Sequence, residues 1–98
     1  MANEVTRAAV LEALLAERER QDTKWGDQTL NSDLAWQSIL TEEVGEIAKD
    51  VNDLRLAGMF EEIIQTGAVC MAWAEAYINR NANDLDITPS VKATNDEA

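Results

Sequence analysis

The side chains that this sequence lacks exclude most of the familiar kinds of active site. The chain has no histidine and a single cysteine, Cys70. Without histidine there is no histidine-based triad, no imidazole ligand for zinc and none of the commonest general base. One cysteine excludes an intrachain disulfide, and because Cys70 lies in an apolar stretch we expect it to be a small core residue. Any side-chain chemistry here is therefore carboxylate chemistry.

Basic residues are also scarce, at 8 Lys and Arg against 19 Asp and Glu, which gives a formal net charge of -11. This balance argues against a nucleic-acid backbone or an anionic membrane as a partner, because both bind basic surfaces. It suits a protein that recruits cations, or one that imitates the charge of DNA. No apolar run approaches the ~20 residues needed to span a bilayer. Residues 1–4 lack the features of a signal peptide, so we expect a cytoplasmic protein.

Strand patterns are absent, and the apolar periodicity predicts an all-α fold. We predict helices over residues 4–21, 34–56 and 59–79. Ser32 or Asp33 is expected to cap the start of the second helix, and Gly58 to stop that helix. Residues 1–79 then form one helical domain, and residues 80–98, which hold the only proline, form a flexible tail. A folded part of ~80 residues has a marginal core, so we expect oligomerisation to complete the bundle.

Two glycines lie inside the predicted helices. Gly45 falls in the second helix and Gly67 in the third. Glycine in a helix interior costs ~1 kcal/mol relative to alanine. We therefore expect both to mark places where two helices approach closely.

The second predicted helix carries an apolar stripe with acids along its border. The apolar residues are spaced four, three, four and three and predict a core seam: Leu40, Val44, Ile47, Val51 and Leu54. The acids are spaced three, four and three and, at about 100° per residue, span about 80° beside that seam: Glu43, Glu46, Asp50 and Asp53. Glu42 lies on the outer side of this arc.

Acids stacked at these spacings weaken a helix by tenths of a kcal/mol per pair, and Lys49 is the only cation between Leu40 and Leu54. Carboxylates at a core boundary without a basic partner suit a hard cation such as Mg²⁺, Mn²⁺ or Ca²⁺. The third helix adds Glu62 and Gln65, which would face the same cleft if the two helices form an antiparallel hairpin. The alternative is that these acids are simply a solvated face.

These residues resemble a known family. The pattern Glu42-Glu43-x-x-Glu46 followed by Glu62-x-x-Gln65, with Lys24-Trp25-Gly26-Asp27-Gln28 upstream, is similar to the short MazG-like nucleotide pyrophosphohydrolases of phages and mobile elements, within the all-α NTP pyrophosphatase superfamily. The resemblance covers about residues 17–76. It implies a MazG-like helical bundle that assembles as a homodimer or homotetramer.

The resemblance also implies an activity, namely hydrolysis of nucleoside triphosphates, with dNTPs as the expected substrates, to monophosphate and pyrophosphate. Mg²⁺ would be the cofactor, with Mn²⁺ as an alternative. Glu43, Glu46 and Glu62 would be metal ligands, and Glu42 would be a ligand or would orient the attacking water. Gln65 stands where the family usually has Asp, and a neutral amide can offer an oxygen but cannot act as a general base.

Four further residues are candidate substrate contacts. Trp25 and Trp36 could stack on a base, and Lys24 and Gln28 could contact phosphate or base edges, although either tryptophan could instead belong to the core. The alternative function is a non-catalytic acidic helical module, either an interaction adaptor or a DNA-charge mimic. The two functions differ in acid placement, because an enzyme brings its glutamates together and a mimic spreads them over the surface.

Overall fold

The computed structural model describes residues 3–85 and is all-helical over that range. Helix α1 spans Asn3–Trp25, α2 spans Asp33–Asn52 and α3 spans Met59–Leu85. The all-α prediction is confirmed for this part of the chain. Of the predicted tail, residues 86–98 lie outside the described residues.

The helix ends follow local chemistry, with some differences from prediction. Of the two predicted caps, Ser32 is the one that caps α2, because its Oγ accepts a hydrogen bond from the Ala35 backbone N–H at 3.1 Å. Helix α1 continues through Trp25 and ends where Gly26 adopts a φ of 74°. Helix α2 ends at Asn52, earlier than predicted, and Leu54 has a φ of 58°, a left-handed conformation that leucine seldom adopts.

Helix α3 runs beyond the predicted end at Asn79, and Arg80, just past that end, has a polar partner on α2. The Arg80 guanidinium donates to Asp33 Oδ1 at 2.6 Å, and the Trp73 indole N–H donates to the same atom at 2.9 Å. Residues 80–85 therefore belong to helix α3, which ends later than the predicted residue 79.

Helix α3 lies between the other two helices, and each packs against it. The main core cluster forms where α2 meets α3 and consists of Trp36, Val69, Ala72 and Ala76. Ile64 and Ala68 are buried nearby on α3. Because most of these α3 side chains are small, its neighbours can approach closely. The antiparallel packing of α2 and α3 follows from these contacts, since the start of α2 meets the end of α3.

The two helix glycines behave differently. A Cβ built on Gly67 would lie 2.9 Å from Leu14 Cδ2 of α1, so the predicted close approach is confirmed there. A Cβ built on Gly45 would meet nothing within 4 Å, so that prediction was wrong. Helix α2 has no neighbour on this side among the described residues.

Two further core predictions were wrong within the single chain. Of the α2 seam, Leu40 and Ile47 are half-buried, whereas Val44 and Val51 are each 50% exposed and Leu54 is 79% exposed. Cys70 is exposed rather than buried. A three-helix chain of this size has too few elements to cover every apolar stripe that its helices carry.

Candidate metal centre

The central feature of the site is a pair of glutamates that face each other across the α2–α3 contact. Glu43 is half-buried on α2, and Glu62 is half-buried in the first turns of α3. Burial raises the pKa of the Glu43 carboxyl, and hydrogen bonding to Glu62 together with the negative charges of Glu62, Glu42 and Glu46 raises it further. The predicted convergence of acids from two helices is therefore seen for this pair.

One oxygen of the pair has no partner. Glu43 Oε1 is buried and accepts no hydrogen bond from any described group. A buried carboxylate oxygen without a donor is costly, by roughly 1–3 kcal/mol or more for a charged group. Such an oxygen opposite a second carboxylate is a suitable ligand for a hard divalent cation.

The other two acids of the predicted site on α2, Glu42 and Glu46, are more exposed than the pair. Glu46 is exposed on α2, one turn after Glu43. Glu42 is also exposed and lies on the outer surface beside Gln37, Ser38 and Thr41. Both raise the pKa of Glu43 through their charge, so they contribute to the negative field at the pair.

Gln65, one turn after Glu62 on α3, borders the contact with α1. Its side chain is half-buried and lines a groove between α1 and α3 with Glu17 and Arg20, while its backbone carbonyl accepts from the Gln21 amide at 3.5 Å. The buried oxygen of Glu43 accepts no hydrogen bond from the Gln65 amide. Glu61 lines both this groove and a second one with Glu62.

Within residues 3–85, no three acidic or cysteine side chains converge closely enough to form a complete metal cage. The donor set is a pair of carboxylates with acids around it. Mg²⁺ usually keeps several waters and is held by one or two carboxylates plus substrate phosphates, rather than by an all-protein cage. A pair of glutamates is therefore a chemically suitable donor set for a magnesium–phosphate complex.

The predicted substrate contacts divide into two groups. Gln28 and Trp36 line one cavity of about 40 Å³, formed by the end of α1, the loop that follows it, α2 and α3. Trp36 is only 3% exposed and packs in the core, and its indole N–H has no partner among the described groups. The core alternative therefore describes this tryptophan better than stacking on a base does.

Lys24 and Trp25 lie outside this cavity, in the last turn of α1. The Lys24 ammonium sits 5.2 Å from the centre of the Trp25 ring, a cation–π contact, and Trp25 is 47% exposed. Of the two candidate stacking residues, only Trp25 presents its ring to solvent.

Arg18 and Gln21 also line the small cavity, and sequence reasoning missed them. The Arg18 guanidinium pairs with Glu75 at 2.6 Å and with Asp22 at 3.1 Å, and its side chain is 12% exposed. Gln21 is 5% exposed. The signal was their spacing, because Leu14, Arg18 and Gln21 continue the inward stripe of α1 at intervals of four and three.

No family model, curated protein or solved structure matches this chain. None of the helices in the described part of the chain has the length and apolar character needed to cross a membrane.

Proposed function

We propose that this protein is a divalent-metal-dependent hydrolase that converts nucleoside triphosphates, dNTPs above all, to monophosphate and pyrophosphate. The observation that carries the proposal is the facing pair Glu43 and Glu62, with one buried carboxylate oxygen that lacks a partner. The resemblance of the surrounding motifs to MazG-like pyrophosphohydrolases supplies the reaction.

The raised pKa of Glu43 supports a cation site over a plain surface role. An acid on a solvated face keeps its water, whereas Glu43 is held at the helix contact against a like charge. Perturbed carboxyl groups of this kind concentrate at functional sites, although structural networks also produce them. A module that only imitated DNA charge would gain nothing from burying one oxygen of this carboxyl at the helix contact.

In this proposal, Glu43 and Glu62 hold Mg²⁺, or Mn²⁺, between α2 and α3. The bound metal would neutralise phosphate charge and lower the pKa of a coordinated water. Glu46, one turn along α2, adds a ligand or negative charge. Glu42, which is exposed, would be a further ligand or would orient the attacking water. Lys24 and Trp25 at the end of α1 are the accessible residues for contacts with phosphate and base.

The proposal includes association of two or four copies of the chain. The core of the described residues is small, with six buried apolar residues against thirteen large apolar side chains that remain exposed. A chain with this ratio gains much of its missing burial by binding another copy.

The test is turnover of a panel of NTPs and dNTPs with Mg²⁺, with Mn²⁺ and with EDTA, with products separated by anion-exchange chromatography. We expect monophosphate and pyrophosphate with metal and neither with EDTA. Glu43→Gln and Glu62→Gln should each remove activity, because each takes away half of the carboxylate pair. Glu19→Gln is the matched control, since Glu19 is an exposed acid of α1 away from the pair.

The alternative makes a different prediction. If no nucleotide is hydrolysed with either metal, and calorimetry detects no Mg²⁺ or Mn²⁺ binding that depends on Glu43, then the proposed function is wrong. The non-catalytic acidic module would then describe the chain better.

A further inference from the structure

The loop between α2 and α3 borders a groove of about 580 Å³ whose lining includes Glu62 of the carboxylate pair. Two further acids line this groove, the half-buried Asp50 of α2 and the exposed Glu61 of α3. Among the described residues that line it, Arg55 is the only basic one, and it is exposed in the loop. We call this space the loop groove. A ligand that reaches Glu62 through it therefore meets one positive charge.

The backbone of Arg55 is fixed by the way in which α2 ends. The Leu54 N–H donates to the Val51 carbonyl at 3.2 Å. The Arg55 N–H donates to the Asp50 carbonyl at 2.8 Å. These two bonds form a Schellman motif, in which glycine usually holds the left-handed position. Here Leu54 holds it, with a φ of 58°. Arg55 therefore extends from a hydrogen-bonded helix end.

The Arg55 guanidinium forms no ion pair within residues 3–85. Four other basic side chains of that range do pair with acids, namely Arg18, Arg20, Lys49 and Arg80. Acids outnumber basic residues by 19 to 8 in this chain, yet none of the described acids holds Arg55. Its guanidinium is therefore available to an anion, and the oxygens of a phosphate match its planar fork.

The acids of the loop groove determine the form in which phosphate can enter. Asp50, Glu61 and Glu62 would repel a bare phosphate. A magnesium–phosphate complex carries less negative charge, and its cation prefers carboxylate oxygens such as those of Glu62. The phosphate oxygens that face away from the cation suit Arg55. The loop groove thus offers one ligand for each part of such a complex.

The lining of the loop groove also indicates which part of a nucleotide lies there. None of its described residues is aromatic or carries an amide or hydroxyl side chain, so it offers little for recognising a base. In the proposed reaction, water adds its oxygen to the α-phosphorus and loses a proton to the solvent. The oxygen that bridges to the β-phosphate leaves with its electron pair as part of pyrophosphate. A basic side chain on these outer phosphates stabilises the charge that develops there.

We propose that Arg55 binds the β- and γ-phosphates of the nucleotide, and then the pyrophosphate product, as their magnesium complex in the loop groove beside Glu62. This inference rests on the proposed function for the identity of the nucleotide. Binding of pyrophosphate, however, is measured without any turnover. The proposed reaction and the role of Arg55 can therefore fail separately.

The test is calorimetric titration of the full chain with inorganic pyrophosphate, in excess Mg²⁺ and in EDTA. We expect binding with Mg²⁺ and none in EDTA. Arg55→Gln should bind magnesium pyrophosphate at least about tenfold more weakly, because a hydrogen bond to a charged group contributes that much to affinity. Arg55→Lys keeps the charge without the fork and should fall between the two. Arg7→Gln, which removes an exposed positive charge from α1, is the matched control and should bind as wild type does.

Turnover gives a second readout. Arg55→Gln should raise the KM for the nucleotide and weaken inhibition by added pyrophosphate, whereas Arg7→Gln should change neither. Circular dichroism shows whether each variant keeps its helices, and Arg55→Lys decides the matter if Arg55→Gln unfolds. Pyrophosphate binding that depends on Arg55, without turnover of any nucleotide, would contradict the proposed reaction and support this site. A wild type that binds no magnesium pyrophosphate, or an Arg55→Gln variant that binds it equally well, would overturn the proposal.

Discussion

The two halves of α2 both pack against α3, but the first half makes stabilising contacts with it, whereas the second half places one acidic side chain against another. The first half is fixed by Trp36 in the core and by Asp33, which accepts hydrogen bonds from Trp73 and Arg80 of α3. The second half presents Glu43 to another glutamate and leaves Val44 and Val51 half exposed. One half gains stability from each contact with α3, whereas the other holds a like-charged pair.

The residues that stabilise the contact between α2 and α3 are therefore not the residues to which we assign the metal chemistry. Sites that bind ions or substrates keep groups in arrangements that cost free energy until the ligand is present. Here that cost falls on the second half of α2, and the first half supplies the packing that offsets it. Substitutions in the two halves should therefore differ in size and in sign.

The largest effect is expected for Trp36→Ala. Removing a tryptophan that is 3% exposed should lower the free energy of unfolding by about 3–5 kcal/mol, because a cavity would remain among Val69, Ala72 and Ala76. Urea unfolding followed by circular dichroism measures the change. Trp25→Ala is the control, and since Trp25 is 47% exposed it should change stability by about 0.5 kcal/mol or less. Equal losses in the two variants would contradict the assigned core.

A smaller effect is expected for Asp33→Asn, and it should be seen mainly in how the free energy of unfolding depends on pH. Hydrogen bonds from Trp73 and Arg80 lower the pKa of the Asp33 carboxyl below its usual 3.8. Ionised Asp33 therefore stabilises the fold above that pH, and the contribution is lost as the pH falls through the lower folded-state pKa. Asparagine keeps the shape but does not titrate, so the variant should lose less stability than wild type between neutral and acid pH. Parallel loss in both proteins would show that these contacts contribute little.

The smallest effect, and one of opposite sign, is expected for Glu43→Gln in EDTA. Burial and the nearby Glu62 raise the pKa of Glu43, so its ionised form destabilises the metal-free fold as the pH rises above the usual 4.5. The variant should be more stable than wild type at neutral pH by no more than a few tenths of a kcal/mol, because solvent screens this half-buried pair, and the difference should disappear in acid. Thermal unfolding at several pH values measures this, with Glu19→Gln as the control. A variant less stable than wild type at neutral pH would mean that the pair is not under repulsion.

Helix periodicity and caps were the features that the sequence could predict. The three helices, the Ser32 cap and the meeting of Glu43 with Glu62 all follow from spacing and local chemistry. The ends were less accurate, because they depend on partners far along the chain. Helix α3 extends past residue 79, and Arg80 there pairs with Asp33, which is 47 residues earlier.

Which apolar stripes of the helices are buried within the chain could not be predicted from the sequence. Periodicity shows that the seam of α2 is apolar, but it does not tell whether a second helix of the same chain or another molecule covers it. Gly45 and Gly67 show the same limit, since both are helix glycines and only Gly67 faces a neighbour. For the site, the motif could not show that Gln65 points towards α1 or that Trp36 is core.

The central position of α3 also has a consequence for how the chain comes together. Helices α1 and α2 each pack on α3. Pairing of α2 with α3 closes only a short loop and therefore loses little chain entropy, so it can form early in folding. Packing of α1 on α3 closes a much longer loop, because all of α2 lies between them in the chain. Opening of α1 would expose Ile64, which lines the groove between α1 and α3, but the contacts of Trp36 with Val69, Ala72 and Ala76 would remain. The packing of α1 on α3 can therefore be lost while the α2–α3 hairpin remains, whereas disruption of α3 removes both.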